Sequence, residues 1–272
     1  MAKSSKRRQN SNGSAKKQLK RILADANAQS DPLAALPSAF LSVDLNNNNA
    51  AAAENSDTPP TKNAIIHYYK SPLPSSILNQ CLDLFEANMG EMYKKSEWGL
   101  NMEEKRKELE HEDARFLIII LDKQRDDTSG QTSPSSNDAA AVATENNNST
   151  LPEEKQVIGF AHFRYEQDDE DDDDSPPNNP ITYLYELQIS PSHTSNGLGQ
   201  KLMTIIELLS YKFQMTKVIL TVFKCNTGAM KFYLTKLRGY EVDESSPSNF
   251  EGEENENVEY EILSKRIGRK GL

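Results

Sequence analysis

Apolar positions along the chain gather in four dense blocks, residues 62–122, 155–167, 181–245 and 257–267, set apart by stretches rich in Asn, Ser, Asp and Pro. Together the blocks amount to one domain of roughly 100–150 residues. Asn63 to Lys70 reads as a strand. Ser75 to Trp98 reads as a helix: Ile77, Cys81, Leu84 and Phe85, with Leu78, Leu82 and Met89, recur at helical spacing behind a Ser75 N-cap. Glu103 to Glu112 predicts a charged, solvent-facing helix, and Phe116 to Leu121 is an unbroken apolar run that predicts a buried strand. Val157 to Tyr165 predicts its antiparallel neighbour across a long insert. Tyr183 to Ile189 is a strand leading to a helix from Gly197 to Phe213, with Leu198, Leu202, Ile205 and Leu209 on the inner face. Val218 to Phe223 is apolar on both faces, Thr227 to Leu237 is helical, and Tyr240 to Asp243 and Val258 to Leu263 are closing strands. This order predicts a mixed α/β or α+β sheet with helices packed on it.

The intervening stretches change the picture of size. Asp44 to Thr61 reads as a linker, and 123–155, 168–180 and 246–257 read as disordered inserts, too polar to repay the entropy of ordering them. The expected organisation is therefore a basic tail, short helix and linker over 1–61, one domain over 62–267, and a tail over 268–272. The first 24 residues carry Lys3, Lys6, Arg7, Arg8, Lys16, Lys17, Lys20 and Arg21 and no acid. Lys16 to Ala28 fits a short helix with Leu19, Ile22 and Leu23 on one side, after a disordered start. The basic run suits a nuclear-import or nucleic-acid patch, or equally a solvated tail.

Over the whole chain acid still dominates: 41 Asp and Glu against 31 Lys and Arg give a formal charge of −10, which fits a basic partner. No run of 18 apolar residues exists, so a transmembrane helix is excluded; an N-terminus without an apolar region argues against a secretory signal. Two cysteines, Cys81 and Cys225, make neither a disulfide framework nor a four-cysteine zinc site, so a reducing compartment is expected. His67, His111, His162 and His193 share no metal-ligand spacing, and no metal is expected.

Candidate chemistry sits between Tyr183 and Tyr240. The strand ending at Ile189 runs through a polar loop into Gly197-Leu-Gly199, which opens an amphipathic helix. Glycines at a helix start let main-chain N–H groups approach an anion, and the helix dipole favours negative charge there, as for a pyrophosphate. After the next strand come Asn226-Thr-Gly-Ala229 and the aromatics Phe232 and Tyr233, then Gly239-Tyr240.

With these two halves in this order, residues 62–267 resemble the GNAT superfamily of N-acetyltransferases. More narrowly, several runs resemble its N-alpha-acetyltransferase D branch, which acetylates the N-terminal amine of histones H4 and H2A. They are Met92-Tyr93 with Ser96-Glu97-Trp98-Gly99, His162-Phe163-Arg164, Tyr183-x-Tyr185-Glu186-x-Gln188, Leu220-Thr221-Val222-Phe223-Lys224, Ser245-Ser-Pro-Ser248 and Tyr260-Glu-Ile-Leu-Ser264.

The resemblance implies a mostly antiparallel sheet, splayed at the cofactor site and flanked by helices, with acetyl-coenzyme A as co-substrate. It implies that Leu187, Gln188 and Ile189 offer main-chain groups to the pantetheine arm, that Ser195, Asn196, Gly197, Leu198, Gly199 and Gln200 cradle the pyrophosphate, and that Asn226 bonds the cofactor from the far side. It makes Glu186 the general base, with Tyr185 beside it. It places Tyr93, Trp98, Glu166, Asp168, Tyr185, Thr221, Ser245 and Tyr260 around the substrate tail, with Glu244 as a further acid for an Arg-containing partner. The family's usual Arg or Gln three residues before the first glycine is Thr194 here, which removes a phosphate-facing side chain. Tyr233 stands where many members keep a general acid. The implied partners are histone H4 and H2A tails beginning Ser-Gly-Arg-Gly, in a ribosomal or nucleosomal setting, for a monomer in nucleus and cytoplasm with no membrane contact. Two other readings stay open: acetylation of lysine or polyamine amines, and a histone-binding module without catalysis. Cys225, next to Asn226, reads as a buried small residue, an acyl-cysteine role being the alternative.

Overall fold

The computed structural model describes residues 2–45, 63–122, 155–168, 179–250, 252 and 257–268. Strands β1 (Ser42–Asp44), β2 (Asn63–Lys70), β3 (Arg115–Asp122), β4 (Lys155–Gln167), β5 (Pro180–Ile189), β6 (Lys217–Phe223), β7 (Glu241–Val242) and β8 (Tyr260–Arg266) form one sheet in the order β1-β2-β3-β4-β5-β6-β8-β7. Neighbours are antiparallel throughout except β5 and β6, which are parallel. The exception follows from the connection: a parallel pair needs a crossover, here helix α5 (Leu198–Lys212).

The sheet separates two cores. On one face, α1 (Ala2–Ala28) and α5 pack Ala26, Leu198, Leu202, Ile205 and Leu209 against Leu117, Ile158, Phe163, Leu184 and Leu220. On the other, α3 (Ser75–Lys95) and α4 (Met102–Leu109) pack Ile77, Cys81, Phe85 and Leu109 against Phe116, Ile118 and Phe160. Short α2 (Ser38–Leu41) leads into β1, and α6 (Thr227–Lys231) runs on into a π turn over Phe232–Lys236.

Several expectations need correction. Helix α4 is not merely solvent-facing, because Lys105 and Leu109 are buried along its inner side. The first helix begins at Ala2 rather than at Lys16, and Val43 within the expected tail is a buried member of the sheet, paired with Ala64. Ser246 and Pro247, expected in an insert, are buried: Ser246 and Ser248 donate to Glu261 Oε2 at 2.6 and 2.7 Å, and the Asn249 amide donates to the Asp243 carbonyl at 2.7 Å. Cys225 is exposed. Most of the inserts expected over 123–155 and 168–180, of the 44–61 linker and of the 268–272 tail falls outside the described residues, while Lys155 and Pro180, expected in inserts, open β4 and β5.

Candidate active site

The parallel pairing of β5 with β6 runs from Ile181↔Lys217 to Leu184↔Leu220 and stops there, although β5 continues to Ile189 and β6 to Phe223. Beyond Leu184 the two strands part, and main-chain groups on that side of β5 lose their strand partner. At the same point the β4–β5 ladder slips: His162 faces Glu186 but Phe163 faces Leu184, so Tyr185 is an extra residue. A bulge of this kind breaks the two-residue alternation of side chains. Leu184 and Leu187 accordingly both meet the first core, while Tyr185 and Glu186 both turn to the other face.

A cleft of about 720 Å³ fills the fork. One of its ends is the start of α5. Gly197 adopts a left-handed φ of 72° there, with no side-chain cap on the helix. The first α-helical bond is Lys201 N–H to the Gly197 carbonyl, so the amides of Leu198, Gly199 and Gln200 have no intrahelical acceptor. Gly199 is held by close approach: a Cβ would stand 3.3 Å from the Phe232 ring. A helix start with uncapped amides, opening on a cleft, fits an anionic diphosphate.

At the cleft's middle lies Glu186. Its carboxylate is buried, accepting from Lys105 Nζ at 2.8 Å on Oε1 and from Gln188 Nε2 at 2.8 Å on Oε2. Lys105 also donates to both oxygens of Glu108, at 2.9 and 3.0 Å, and lies over the rings of Phe85 and Tyr93. Burial pushes the Glu186 carboxyl above the ordinary carboxylate range, against the opposing pull of Lys105. Burial also disfavours the Lys105 charge, but Glu186 and Glu108 outweigh it and raise the ammonium's pKa.

The opposite end is aromatic. Trp98, half exposed, stands 4.9 Å from Phe223 and 5.2 Å from Tyr260 between ring centroids, and Tyr93 stands 5.1 Å from Phe223. The Glu97 amide donates to Glu259 at 3.0 Å, which ties the turn after α3 to the start of β8. Beside this wall the Tyr185 hydroxyl donates to Glu166 at 2.8 Å, Arg164 lies 4.2 Å over the Tyr185 ring, and Tyr183 and Thr221 share a 2.6 Å hydrogen bond.

Most residues singled out from sequence converge on this cleft. Tyr93, Trp98, Tyr185, Glu186, Leu187, Gln188, Ile189, Ser195, Gly197, Leu198, Gly199, Gln200, Thr221 and Asn226 line it, as does Tyr233. Asn196 sits in the loop without lining the cleft. Asn226 spends its side-chain oxygen on capping α6, accepting from Ala229 N–H at 3.1 Å, and its amide group donates to Met89 Sδ at 3.8 Å. Glu166 and Tyr260 reach the cleft through Tyr185 and Trp98.

Asp168 and Ser245 are placed apart, at the opposite end of β6. Lys217 meets Asp168 at 2.9 Å and Asp243 at 3.3 Å, and Ser245 donates to Asp243 at 2.6 Å. Asp168 and Asp243, with Glu244, line a second cavity of about 470 Å³. Three lining or supporting residues escaped the sequence reading: Lys105; Asn88, which donates to the Ile189 carbonyl at 3.0 Å; and Lys236, a cation on the cleft wall. Helical spacing would have flagged Asn88 only as a polar gap on an apolar helix. Among the described residues no group of His, Cys, Asp and Glu is placed to hold a metal ion, and no helix is long and apolar enough to cross a membrane.

Residues 108–240 match the profile described as the acetyltransferase (GNAT) family. Among solved structures the chain is similar to the NatC complex bound to Gag peptide and CoA, at 12% identity over 75% of this chain and 99% of that one, TM-score 0.43. It is also similar to Arabidopsis thaliana NAA60 in complex with a bisubstrate analogue (13% identity, 75% and 99% covered, TM-score 0.44). An acetyltransferase of the same family from Staphylococcus aureus gives 9% identity, 75% and 99% covered, TM-score 0.45.

Proposed function

We propose, from the match of residues 108–240 to the acetyltransferase (GNAT) family, that this chain moves the acetyl group of acetyl-coenzyme A onto the N-terminal α-amine of a protein starting Ser-Gly-Arg-Gly, as histones H4 and H2A do. The observation that carries the reading is one cleft joining three things: the uncapped start of α5, the buried Glu186 carboxylate at the strand fork, and the aromatic wall of Tyr93, Trp98 and Phe223. The first suits the diphosphate and the unpaired edge of β5 suits the amide-bearing pantetheine arm. The aromatic wall, closed by Trp98 against Tyr260, suits a chain end rather than a chain passing through.

Only a neutral amine attacks a thioester. At pH 7 an α-amine with pKa about 7.8 is neutral roughly one time in seven, a lysine near 10.4 about once in 2,500. A modest base suffices for the first, and a carboxyl raised by burial is one. Glu186 accepts the amine's proton, directly or through one water, as nitrogen attacks the thioester carbon; the bond to sulfur then breaks and the thiolate is reprotonated. We assign that last proton to Tyr233, which is buried on the cleft wall. Glu166, held by Tyr185, offers charge to an arginine at the third position of the substrate.

The test is a panel of peptides varied over the first four residues, with the acetyl group located by fragmentation mass spectrometry. Acetylation of the α-amine of Ser-Gly-Arg-Gly peptides, lost on blocking that amine, is expected. Label appearing on lysine side chains of α-blocked peptides overturns the reading.

A further inference from the structure

Lys105 carries more contacts to the cleft than a neutralising counter-charge requires. It rises from α4, whose position is fixed by an Asn101 cap on the Glu103 and Glu104 amides and by Arg164 donating to the Glu108 carbonyl at 2.8 Å. Its ammonium lies between two carboxylates, 2.8 Å from Glu186 and 2.9 Å from Glu108, and is roofed by the ring of Phe85 at 4.6 Å. An ammonium has three donors, and here all three carboxylate contacts are made on one side of an apolar roof.

We infer that Lys105 is a positioning residue for acetyl transfer: by bridging Glu186 to Glu108 it fixes the orientation in which the Glu186 carboxylate faces the fork and holds that buried group ionised. The inference rests on the reading of Glu186 as proton acceptor. Glu186 is faced by Lys105 and Glu108 from α4, by Tyr93 from α3, by Tyr233 from the π turn, and, behind Glu108, by His162 from β4. Lys105 is the cation of this set in direct contact with the carboxylate. Without it two carboxylates share an apolar site with no counter-charge, and the buried one takes up a proton. Without Glu108, the ammonium belongs to Glu186 alone and favours its ionised form more strongly.

The two removals therefore have opposite signs, which a merely structural ion pair would not produce. Full-length Lys105→Met, Lys105→Arg, Glu108→Gln and Glu186→Gln proteins are compared with wild type for kcat and peptide KM from about pH 6 to 9.5, for acetyl-coenzyme A affinity by calorimetry, and for melting temperature. Lys105→Met is expected to lower kcat at pH 7 by about tenfold or more with cofactor affinity unchanged. Its acidic limb should move up by at least about one pH unit, so that the deficit shrinks toward pH 9.5. Lys105→Arg should recover most of the loss, and the limb of Glu108→Gln should lie at or below that of wild type. A Lys105→Met enzyme with wild-type kcat and limb sinks the inference, as does a deficit constant with pH that arginine does not relieve. Should Lys105→Met fail to fold, Glu108→Gln decides: an acidic limb at or below that of wild type supports the inference, and a limb moved clearly above it overturns the inference. Normal turnover in Glu186→Gln overturns the underlying reading, whereas its loss beside a normal Lys105→Met overturns only the role of Lys105.

Discussion

His162 stands between the rings of Phe116 and Tyr185, with centroids 5.0 and 4.9 Å away, and it has no solvent exposure. Neither ring nitrogen has a hydrogen-bond partner, and Glu108 at 3.6 Å is too far to supply one. Burial lowers its pKa from 6.5 to about 4, so the imidazole is neutral in the fold. The unfolded chain binds the extra proton first; stability from this group is therefore complete above pH 6.5 and lost as pH falls toward 4. The loss amounts to roughly 3 kcal/mol at the lower end. His162→Phe keeps the stacked shape and should leave the melting temperature near neutral pH little changed while flattening its fall between pH 6.5 and 4.5. An unchanged acid profile would remove His162 as a cause. At the cleft, Glu186→Gln should cut kcat by about 10²–10⁴ while acetyl-coenzyme A binds with unchanged affinity in calorimetry. Glu186 was legible because its resemblance-bearing run is local. Lys105 was not: its partner lies 81 residues away in sequence, and on a helix of mostly exposed charges nothing local distinguishes it.

Among the elements, apolar strands were the most legible: β3 is covered on both faces and reads as an unbroken apolar run, and β6 is buried on both faces with only Thr221 breaking its run. The bulge at Tyr185 was not, since one extra residue leaves composition and propensity untouched, yet it is what brings Tyr185 and Glu186 to one face. The start of α5 was legible as Gly197-Leu-Gly199, but for two distinct reasons that only coordinates separate. Gly197 needs its positive φ and a Cβ there would meet nothing within 4 Å, whereas Gly199 is confined by Phe232. Gly197→Ala should thus cost about 1 kcal/mol of stability through backbone strain alone. The uncapped amides should be tilted with it, weakening acetyl-coenzyme A binding by several-fold in calorimetry, with peptide KM nearly unchanged. Equal weakening of both ligands would mean that the helix start does not select the nucleotide end of the cleft.

On the scale of the whole molecule, the sequence reading missed how much of the first 45 residues belongs to the fold. The apolar residues there are sparse before Leu19, and those from Leu33 to Leu45 are interrupted by Pro37 and match neither period, but Ala26, Leu33 and Val43 are buried in the first core and Leu19 is buried on α1. Polar anchors accompany them. The Asn27 carbonyl accepts from Lys70 Nζ at 2.9 Å and from Arg115 at 3.2 Å, and the Asn27 side chain accepts from Arg115 at 3.1 Å. Arg115 is itself buried, so deleting residues 1–45 removes partners from a charge that water reaches poorly, besides uncovering apolar area and leaving β2 as a bare edge. Leu19, Leu33 and Val43 at about 1.5–3 kcal/mol each, with a smaller share from Ala26, are comparable to half or more of the stability of an ordinary domain. A chain starting at Lys62 is expected to melt at least about 10 °C lower than the full protein. Acetyl-coenzyme A should restore part of that loss, since the cleft residues all lie beyond the cut. Equal melting temperatures for the two chains would return the N-terminal segment to the status of a tail.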